Sequence, residues 1–213
     1  MRIKRWIQNG WGHLCTISQH KWQVMKNCFR VGLYKQGLLH DLSKYSPTEF
    51  VTGIRYYQGN RSPNSAEREE KGYSSAWLHH KGRNRHHFEY WLDVVKKQEG
   101  SVYAAEMPVK YVMEMVMDRI AASKVYEKEN YTDWSAWEYY TKKKDSTFLH
   151  PNTRALLETI LQMLGKEGEE KTFVYIRKVL KEEKKKLRKR HRKKDTGMCY
   201  TVSQSRCAGE KKR

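Results

Sequence analysis

Apolar residues recur at the spacing of an α-helix along most of this chain. Between residues 109 and 126, for example, Val112, Val116 and Ile120 fall on one face of a predicted helix that Pro108 opens. Only 4 Pro and 13 Gly occur among the 213 residues, and runs of β-branched residues are few. This composition leaves little material for hairpins and sheets. The sequence therefore predicts an all-α fold.

The net charge of +19 is divided unevenly along the chain. Residues 181–213 hold 14 Lys and Arg against 4 Asp and Glu, so this segment carries +10 and residues 1–180 carry +9. The run KKKLRKRHRKK is typical of a solvated helix end, and it also suits weak contact with nucleic acid or another polyanion. We expect one helical domain over 1–180, then a basic helix end over 181–213 that is disordered beyond about Lys194.

Three features are absent from the sequence, and the first two bear on location. No apolar run reaches the roughly 18 residues that a membrane span requires. Arg2, Lys4 and Arg5 are followed by Gln8 and Asn9, not by the apolar block of a secretory signal. The 4 Cys include no C-x-x-C pair of the kind that binds zinc. The sequence predicts a cytoplasmic protein without a transmembrane segment, and it does not indicate an oligomeric state.

The histidines are concentrated in two places. Four lie between His79 and His87, as two adjacent pairs, and His40 is followed directly by Asp41. Imidazole and carboxylate together favour Mn, Fe, Co, Ni or Zn, whereas a structural zinc site more often uses thiolates. Successive side chains on a helix diverge by roughly 100°, so at most one member of each pair is expected to face a metal, unless a helix terminus lets both turn inward. The sequence predicts a site for one or two divalent transition-metal ions.

The order of these residues along the chain carries a family resemblance. His20 precedes the run HDLSK at His40 to Lys44, and a His-rich segment and then Asp118 follow. This order resembles the H…HD…H…H…D pattern of the HD-domain superfamily, and HDLSK is similar to the H-D-x-x-K form of its central motif. The stretch from 79 to 91 looks like an uncharacterised bacterial and phage branch of that superfamily. Sequences of that branch are sometimes named catalase, but no residue here argues for haem.

The resemblance covers roughly residues 10–130 and implies an HD-like helical bundle with a primary metal set. That set is His20, His40, Asp41 and Asp118. His13 lies seven residues before His20, on nearly the same helical face, and competes with it for the first ligand position. The valine four residues after His20 favours His20.

The His-rich segment provides the residues for a second metal. We expect His80 and His86 to bind it, or to contact phosphate if only one metal binds, with His79 and His87 as alternates. Asp41 would then bridge the two metals, since its carboxylate offers two oxygens.

The members of the resembled superfamily are metal-dependent phosphohydrolases, which implies hydrolysis of a small phosphorylated or nucleotide-like substrate. Asp41 and Lys44 are the predicted catalytic residues. Lys44 lies on the same helical face as His40, where it would hold a phosphate oxygen or orient the attacking water. Arg83 and Arg85 offer bidentate donors for phosphate in the turn between the His pairs. For all three cations, a solvated surface role is the alternative.

Two other functions are compatible with the same residues. A mixed-valent di-iron version of the HD scaffold performs oxygenation with the same His and Asp set, and the metal and its redox state would distinguish it. In the second alternative the protein is not an enzyme: the metal site is vestigial, and the basic tail associates with nucleic acid.

Two local predictions concern elements beside the site. Ser46, Pro47 and Glu49 fit a helix start with a capping serine, a proline at the first position and a glutamate three residues after the cap. Residues 81–85 are predicted to form a turn, and residues 86–97 another helix.

Overall fold

The computed structural model describes residues 2–94 and 101–207, with side chains from residue 3 to residue 192 outside that gap. These residues form eight α-helices and one two-stranded sheet, which confirms the all-α prediction. The helices are α1 (Arg2–Arg30), α2 (Tyr34–Leu39), α3 (Pro47–Arg55), α4 (Pro63–Lys71), α5 (Ser75–Lys81), α6 (Val109–Glu127), α7 (Ser135–Thr141) and α8 (Pro151–Cys207). Short 3-10 helices lie at Leu42–Tyr45, Phe88–Trp91, Lys128–Asn130 and Lys144–Ser146.

The pairing of α1 with α6 forms the centre of the unit that spans residues 1–176. Val24 of α1 and Met113, Val116 and Ile120 of α6 are completely buried. Full burial of an apolar side chain of this size contributes about 1.5–3 kcal/mol, so the two helices are held firmly together. Helices α2 and α3 also pack on α1. The polar residues of α1 and α6 that face this junction therefore lie close to one another.

The predicted helix over residues 86–97 is wrong. Phe88–Trp91 is a 3-10 helix, and the strand β1 (Leu92–Val94) pairs in antiparallel register with β2 (Val102–Ala104). The indole nitrogen of Trp91 donates to the carbonyl of Arg85 at 2.8 Å, which holds the segment in a tight turn. Valines paired across the ladder at Val94 and Val102 favour extended backbone. Residues 95–97 of the predicted helix lie outside the described residues.

The last helix is interrupted at Gly168, whose φ of 79° and ψ of 172° are not helical. A second compact unit comprises residues 177–213, close to the predicted boundary at 181. Its backbone is helical through Cys207, although the sequence predicted disorder beyond about Lys194. Residues 208–213 lie outside the described residues.

Among the described residues, no helix combines the length and the apolar character that crossing a bilayer needs.

Candidate metal centre

The turn between α2 and α3 presents His40 and Asp41 to the interior of the protein. The side chains of His40 and Asp41 are 1% and 2% exposed. Asp41 has a φ of 51°, in the left-handed region, where a residue other than glycine costs roughly 1–3 kcal/mol and where such strain often marks a functional site. The amide of Lys44 donates to the carbonyl of Asp41 at 3.0 Å and closes the turn. This backbone geometry directs two adjacent side chains toward one centre.

One group of four donors joins three elements that are distant in sequence. His20 comes from α1, His40 and Asp41 from the turn after α2, and Asp118 from α6, with one donor atom of each within 4.8 Å of the others. His20 Nε2 lies 2.9 Å from Asp118 Oδ1, and His40 Nε2 lies 3.3 Å from Asp41 Oδ2. The structure thus brings together the four residues of the predicted primary set.

A second group of four donors shares Asp41 with the first. It contains Asp41, His80, His86 and His87. His80 Nε2 and His86 Nε2 lie 3.3 and 3.4 Å from Asp41 Oδ1, and His87 Nε2 lies 2.9 Å from His80 Nε2. His86 and His87 both turn inward because they stand just before a 3-10 helix rather than within an α-helix. Both members of this pair therefore face the site, as the sequence analysis allows for a pair at a helix terminus.

The two carboxylate oxygens of Asp41 face different groups. Oδ2 lies on the side of His20 and His40, at 3.8 and 3.3 Å, whereas Oδ1 lies on the side of His80 and His86. A carboxylate divided in this way has the arrangement needed to bridge two cations.

Glu114 orients two of the imidazoles from behind, a role that the sequence analysis did not assign. Its Oε1 lies 3.1 Å from His40 Nδ1 and 3.3 Å from His86 Nδ1. A ring that donates from Nδ1 to a carboxylate keeps the lone pair of its Nε2 for a metal, and such carboxylates are common behind metal-binding histidines. Glu114 lies one helical turn before Asp118, and that spacing is the sequence signal that would have found it.

Glu49 orients the imidazoles of the other pair, His79 and His80, in the same way. Its Oε1 accepts from His79 Nδ1 at 2.6 Å, and its Oε2 accepts from His80 Nδ1 at 2.8 Å. Ser46 and Pro47 do begin α3 as predicted, but the Ser46 side chain makes no capping hydrogen bond and the Glu49 carboxylate is engaged by the histidines. His79 therefore supports the site through Glu49 and is absent from both ligand groups.

His13 lies apart from both ligand groups. Its ring packs against Phe50 and Tyr57, with centroids at 5.4 and 6.1 Å, and it borders Gly53 so closely that a Cβ there would meet its Nε2 at 2.0 Å. Burial, aided by the charge of Lys44, lowers the pKa of His13 to about 4. The structure thus places His20, and not His13, beside Asp118.

Several donor atoms at the centre have no hydrogen-bond partner. His40 Nε2, His86 Nε2 and Asp41 Oδ1 are buried without a hydrogen-bond partner, and His20 Nε2 lies 2.9 Å from Asp118 Oδ1 without the alignment of a hydrogen bond. Unpaired buried polar atoms are rare in proteins, and each costs about 1–3 kcal/mol. Their convergence from separate elements fits a divalent cation, for which neutral imidazole and carboxylate are suitable ligands.

The pKa values of the cluster are shifted in two directions. Burial alone would raise the pKa of Asp41, but the charges of His40 and Lys44 outweigh it and hold that pKa well below its usual range. Burial lowers the pKa of His20, and burial together with neighbouring imidazolium charge lowers that of His87. Burial alone would also lower the pKa of His40 and of His80, but Asp41 outweighs it and raises both. Metals bind ionised carboxylate and neutral imidazole, so His40 and His80 would release a proton when a metal binds.

Lys44 is the nearest cation to the cluster. Its Nζ lies 2.6 Å from Asp41 Oδ2. Burial alone would lower the pKa of Lys44, but Asp41 and Asp118 outweigh it and raise that pKa above its usual range. The side chain is therefore charged, and it neutralises part of the carboxylate charge at the centre.

Both ligand groups border a cavity of about 680 Å³. Its lining includes the cations Lys44, Arg61, Arg68, Arg119 and Lys143. The predicted phosphate donors Arg83 and Arg85 are exposed and are absent from this lining. The Arg85 guanidinium instead lies over the rings of Tyr90 and Tyr111, at 5.5 and 6.0 Å. The cations of the cavity thus come from residues other than this arginine pair, and five carboxylates of the same lining balance them: Asp41, Glu49, Glu89, Asp118 and Glu127.

The chain was compared with protein families, curated proteins and solved structures. No curated protein and no solved structure matches it significantly. Residues 9–163, which contain every member of both ligand groups, match a family described as "Family of unknown function (DUF5662)". This match covers well over half of the chain, so the protein belongs to the DUF5662 family.

Proposed function

We propose that the protein is a hydrolase of phosphate esters that depends on two divalent transition-metal ions. His20, His40 and Asp118 would hold the first ion, His80, His86 and His87 the second, and Asp41 would lie between them. The observation that supports this most strongly is the division of Asp41, with Oδ2 facing one group and Oδ1 the other, at 3.3–3.8 Å from the imidazole nitrogens.

Each part of the chain has a distinct task in this proposal. Ions bound at the two groups would lower the pKa of a water and stabilise charge on a phosphoryl group. Glu114 and Glu49 hold the imidazoles in the orientation that leaves Nε2 facing the centre. Lys44, fixed by Asp41, presents a fixed positive charge to an oxygen of the phosphate.

The order of the ligand groups also supports the proposal. The members of both groups follow one another along the chain as in the HD-domain pattern that the sequence resembles, from His20 through His40 and Asp41 to Asp118. The mixture of imidazole and carboxylate favours Mn, Fe, Co, Ni or Zn over Mg or Ca. With Asp41 and Asp118 engaged by metal ions, the Lys and Arg side chains of the cavity lining would suit a substrate that carries phosphate.

The test is a screen of the full chain loaded in turn with Mn, Fe, Co, Ni and Zn. Phosphate release from nucleotides and sugar phosphates is measured, with Asp41→Asn as the inactive control. We expect release with at least one metal and none from the variant. Absence of release with every metal would contradict the proposal, and substrate-dependent oxygen consumption by the iron-loaded protein would favour an oxygenase instead.

A further inference from the structure

Arg119 follows Asp118 on α6 and lines the same cavity. Its Nε is buried and has no hydrogen-bond partner. The guanidinium lies 5.7 Å from the centroid of the Tyr140 ring, and within residues 3–94 and 101–192 it makes no ion pair. A cation is therefore held at the cavity wall without an anion.

Other arginines of the same unit show how this chain satisfies a guanidinium. Arg61 donates two hydrogen bonds to the carboxylate of Glu69, at 2.6 and 2.7 Å. Arg154 donates to Tyr140 Oη at 3.0 Å and also to the carbonyl of Thr147. Arg119 has neither kind of partner among the described residues, although an unpaired charge that is partly removed from water is costly.

The acidic neighbours of Arg119 form no ion pair with it. Asp118 is directed to His20 and His40, at 2.9 and 3.6 Å. Glu89 also lines the cavity and lies near enough to Arg119 for a longer-range electrostatic interaction, but the two side chains make no ion pair or hydrogen bond. The donors of Arg119 remain available to a molecule that enters the cavity.

A second guanidinium lines the cavity in a similar state. Arg68, on α4, lies 5.4 Å from the centroid of the Trp77 ring and makes no ion pair with a described residue. The cavity thus contains two arginines that form no ion pair with a described carboxylate, in addition to Lys44 beside Asp41.

We propose that the substrate carries a second anionic oxyacid group besides the phosphoryl group that reacts, and that Arg119 binds this second group. The proposal rests on the proposed hydrolase function, which places the first phosphoryl group at the ligand groups. A planar guanidinium matches the paired oxygens of phosphate or carboxylate in two parallel hydrogen bonds. Arg68 adds positive charge to the same cavity. The substrate class is therefore a small molecule with two anionic groups.

Binding of non-hydrolysable probes to the full-length protein, with its metal as purified, tests this proposal. Isothermal titration calorimetry compares methylphosphonate, which has one anionic group, with methylenediphosphonate and phosphonoacetate, which have two. We expect the probes with two anionic groups to bind about tenfold to a hundredfold more tightly than methylphosphonate, as a charge-assisted pair provides. Preference for methylenediphosphonate would identify the second group as a phosphate, and preference for phosphonoacetate would identify a carboxylate.

Substitution of Arg119 tests whether this residue causes the preference for probes with two anionic groups. In Arg119→Gln the affinity ratio between probes with two anionic groups and the probe with one should fall to near one. In Arg119→Lys, which retains the charge, this ratio should be intermediate. Arg55→Gln removes an equal charge from the exposed end of α3, outside the cavity, and should leave the ratio unchanged. No preference in the native protein, or an unchanged ratio in Arg119→Gln, would overturn the proposal. A preference that depends on Arg119 in a protein that hydrolyses no ester would support the subsite and contradict the hydrolase function.

Discussion

Glu114 lies one turn before Asp118 on α6, so a single helix supplies both a proposed ligand and the carboxylate that orients two others. Oε1 of Glu114 contacts Nδ1 of His40 and of His86, which belong to different ligand groups. One carboxylate thus fixes an imidazole on each side of Asp41. This relationship makes the geometry of the two groups interdependent.

The first prediction concerns that carboxylate. Glu114→Gln retains the size of the side chain but removes its charge, so the rings of His40 and His86 lose their ionic acceptor. We expect metal affinity to fall about tenfold to a hundredfold, the usual effect of removing such a partner. Competition with a chromophoric chelator measures it. Glu106→Gln, at an exposed glutamate, is the control and should bind metal like the native protein. Equal affinity in both variants would contradict the role of Glu114.

The fold and the site differ in how far the sequence predicts them. The α6 helix follows from apolar periodicity, whereas His40, Asp41 and Asp118 follow from the residue order that carries the family resemblance. The inward turn of His87 does not follow, because it depends on a 3-10 helix whose position tertiary contacts decide. The spacing of Glu114 to Asp118 makes it a candidate, but acidic residues in helices are usually solvated, so its packing against two histidines is needed to establish the role.

The second prediction concerns how the stability of the protein depends on pH through Glu67, a buried carboxylate outside both ligand groups. Burial alone would raise the pKa of Glu67, but hydrogen bonds from Ser74, Ser75 and Lys71 lower it to about 2. A carboxyl group with a lowered pKa in the folded state stabilises the protein above its ordinary value of about 4.5, and this stabilisation is lost as the pH falls toward 2.

Urea unfolding of the native protein and of Glu67→Gln at several pH values tests this. We expect the native protein to be more stable by about 1.5–3 kcal/mol at pH 7, as for a hydrogen-bonded charged group, and the difference to shrink below pH 4.5. Glu138→Gln, at an exposed position of α7, should show no such trend. A difference that is constant between pH 7 and pH 3 would contradict the assignment.

The third prediction concerns the close approach of α3 to α1. A Cβ at Gly53 would meet His13 Nε2 at 2.0 Å, and the ring of His13 is confined by Phe50 and Tyr57. We expect Gly53→Ala to lower the free energy of unfolding by about 1–3 kcal/mol, the usual cost of overpacking. Gly82→Ala is the control, since its nearest neighbour would be a carbonyl oxygen at 3.5 Å. Equal stability of the two variants would show that the helices separate without cost.

The fourth prediction concerns the basic segment. Truncation after Lys181 removes residues that carry 13 Lys and Arg against 4 Asp and Glu. All members of both ligand groups lie between His20 and Asp118, so metal content should be unchanged. Retention on heparin or DNA should weaken and lose much of its salt dependence, because fewer counterions are released. Loss of metal would show that the tail supports the site, and unchanged retention at equal salt would assign polyanion binding to residues 1–181.

The central claim is that Asp41 lies between two metal ions, and metal content measures this most directly. The full chain is purified from medium that contains Mn, Fe, Co, Ni and Zn, and the bound metals are counted by mass spectrometry. Asp41→Asn is analysed beside it, since asparagine also tolerates the left-handed backbone at this position. We predict about two ions per chain in the native protein, fewer than one in the variant, and the same helical circular dichroism in both. Native protein that binds no stoichiometric metal, or a variant that retains both ions, would contradict the account.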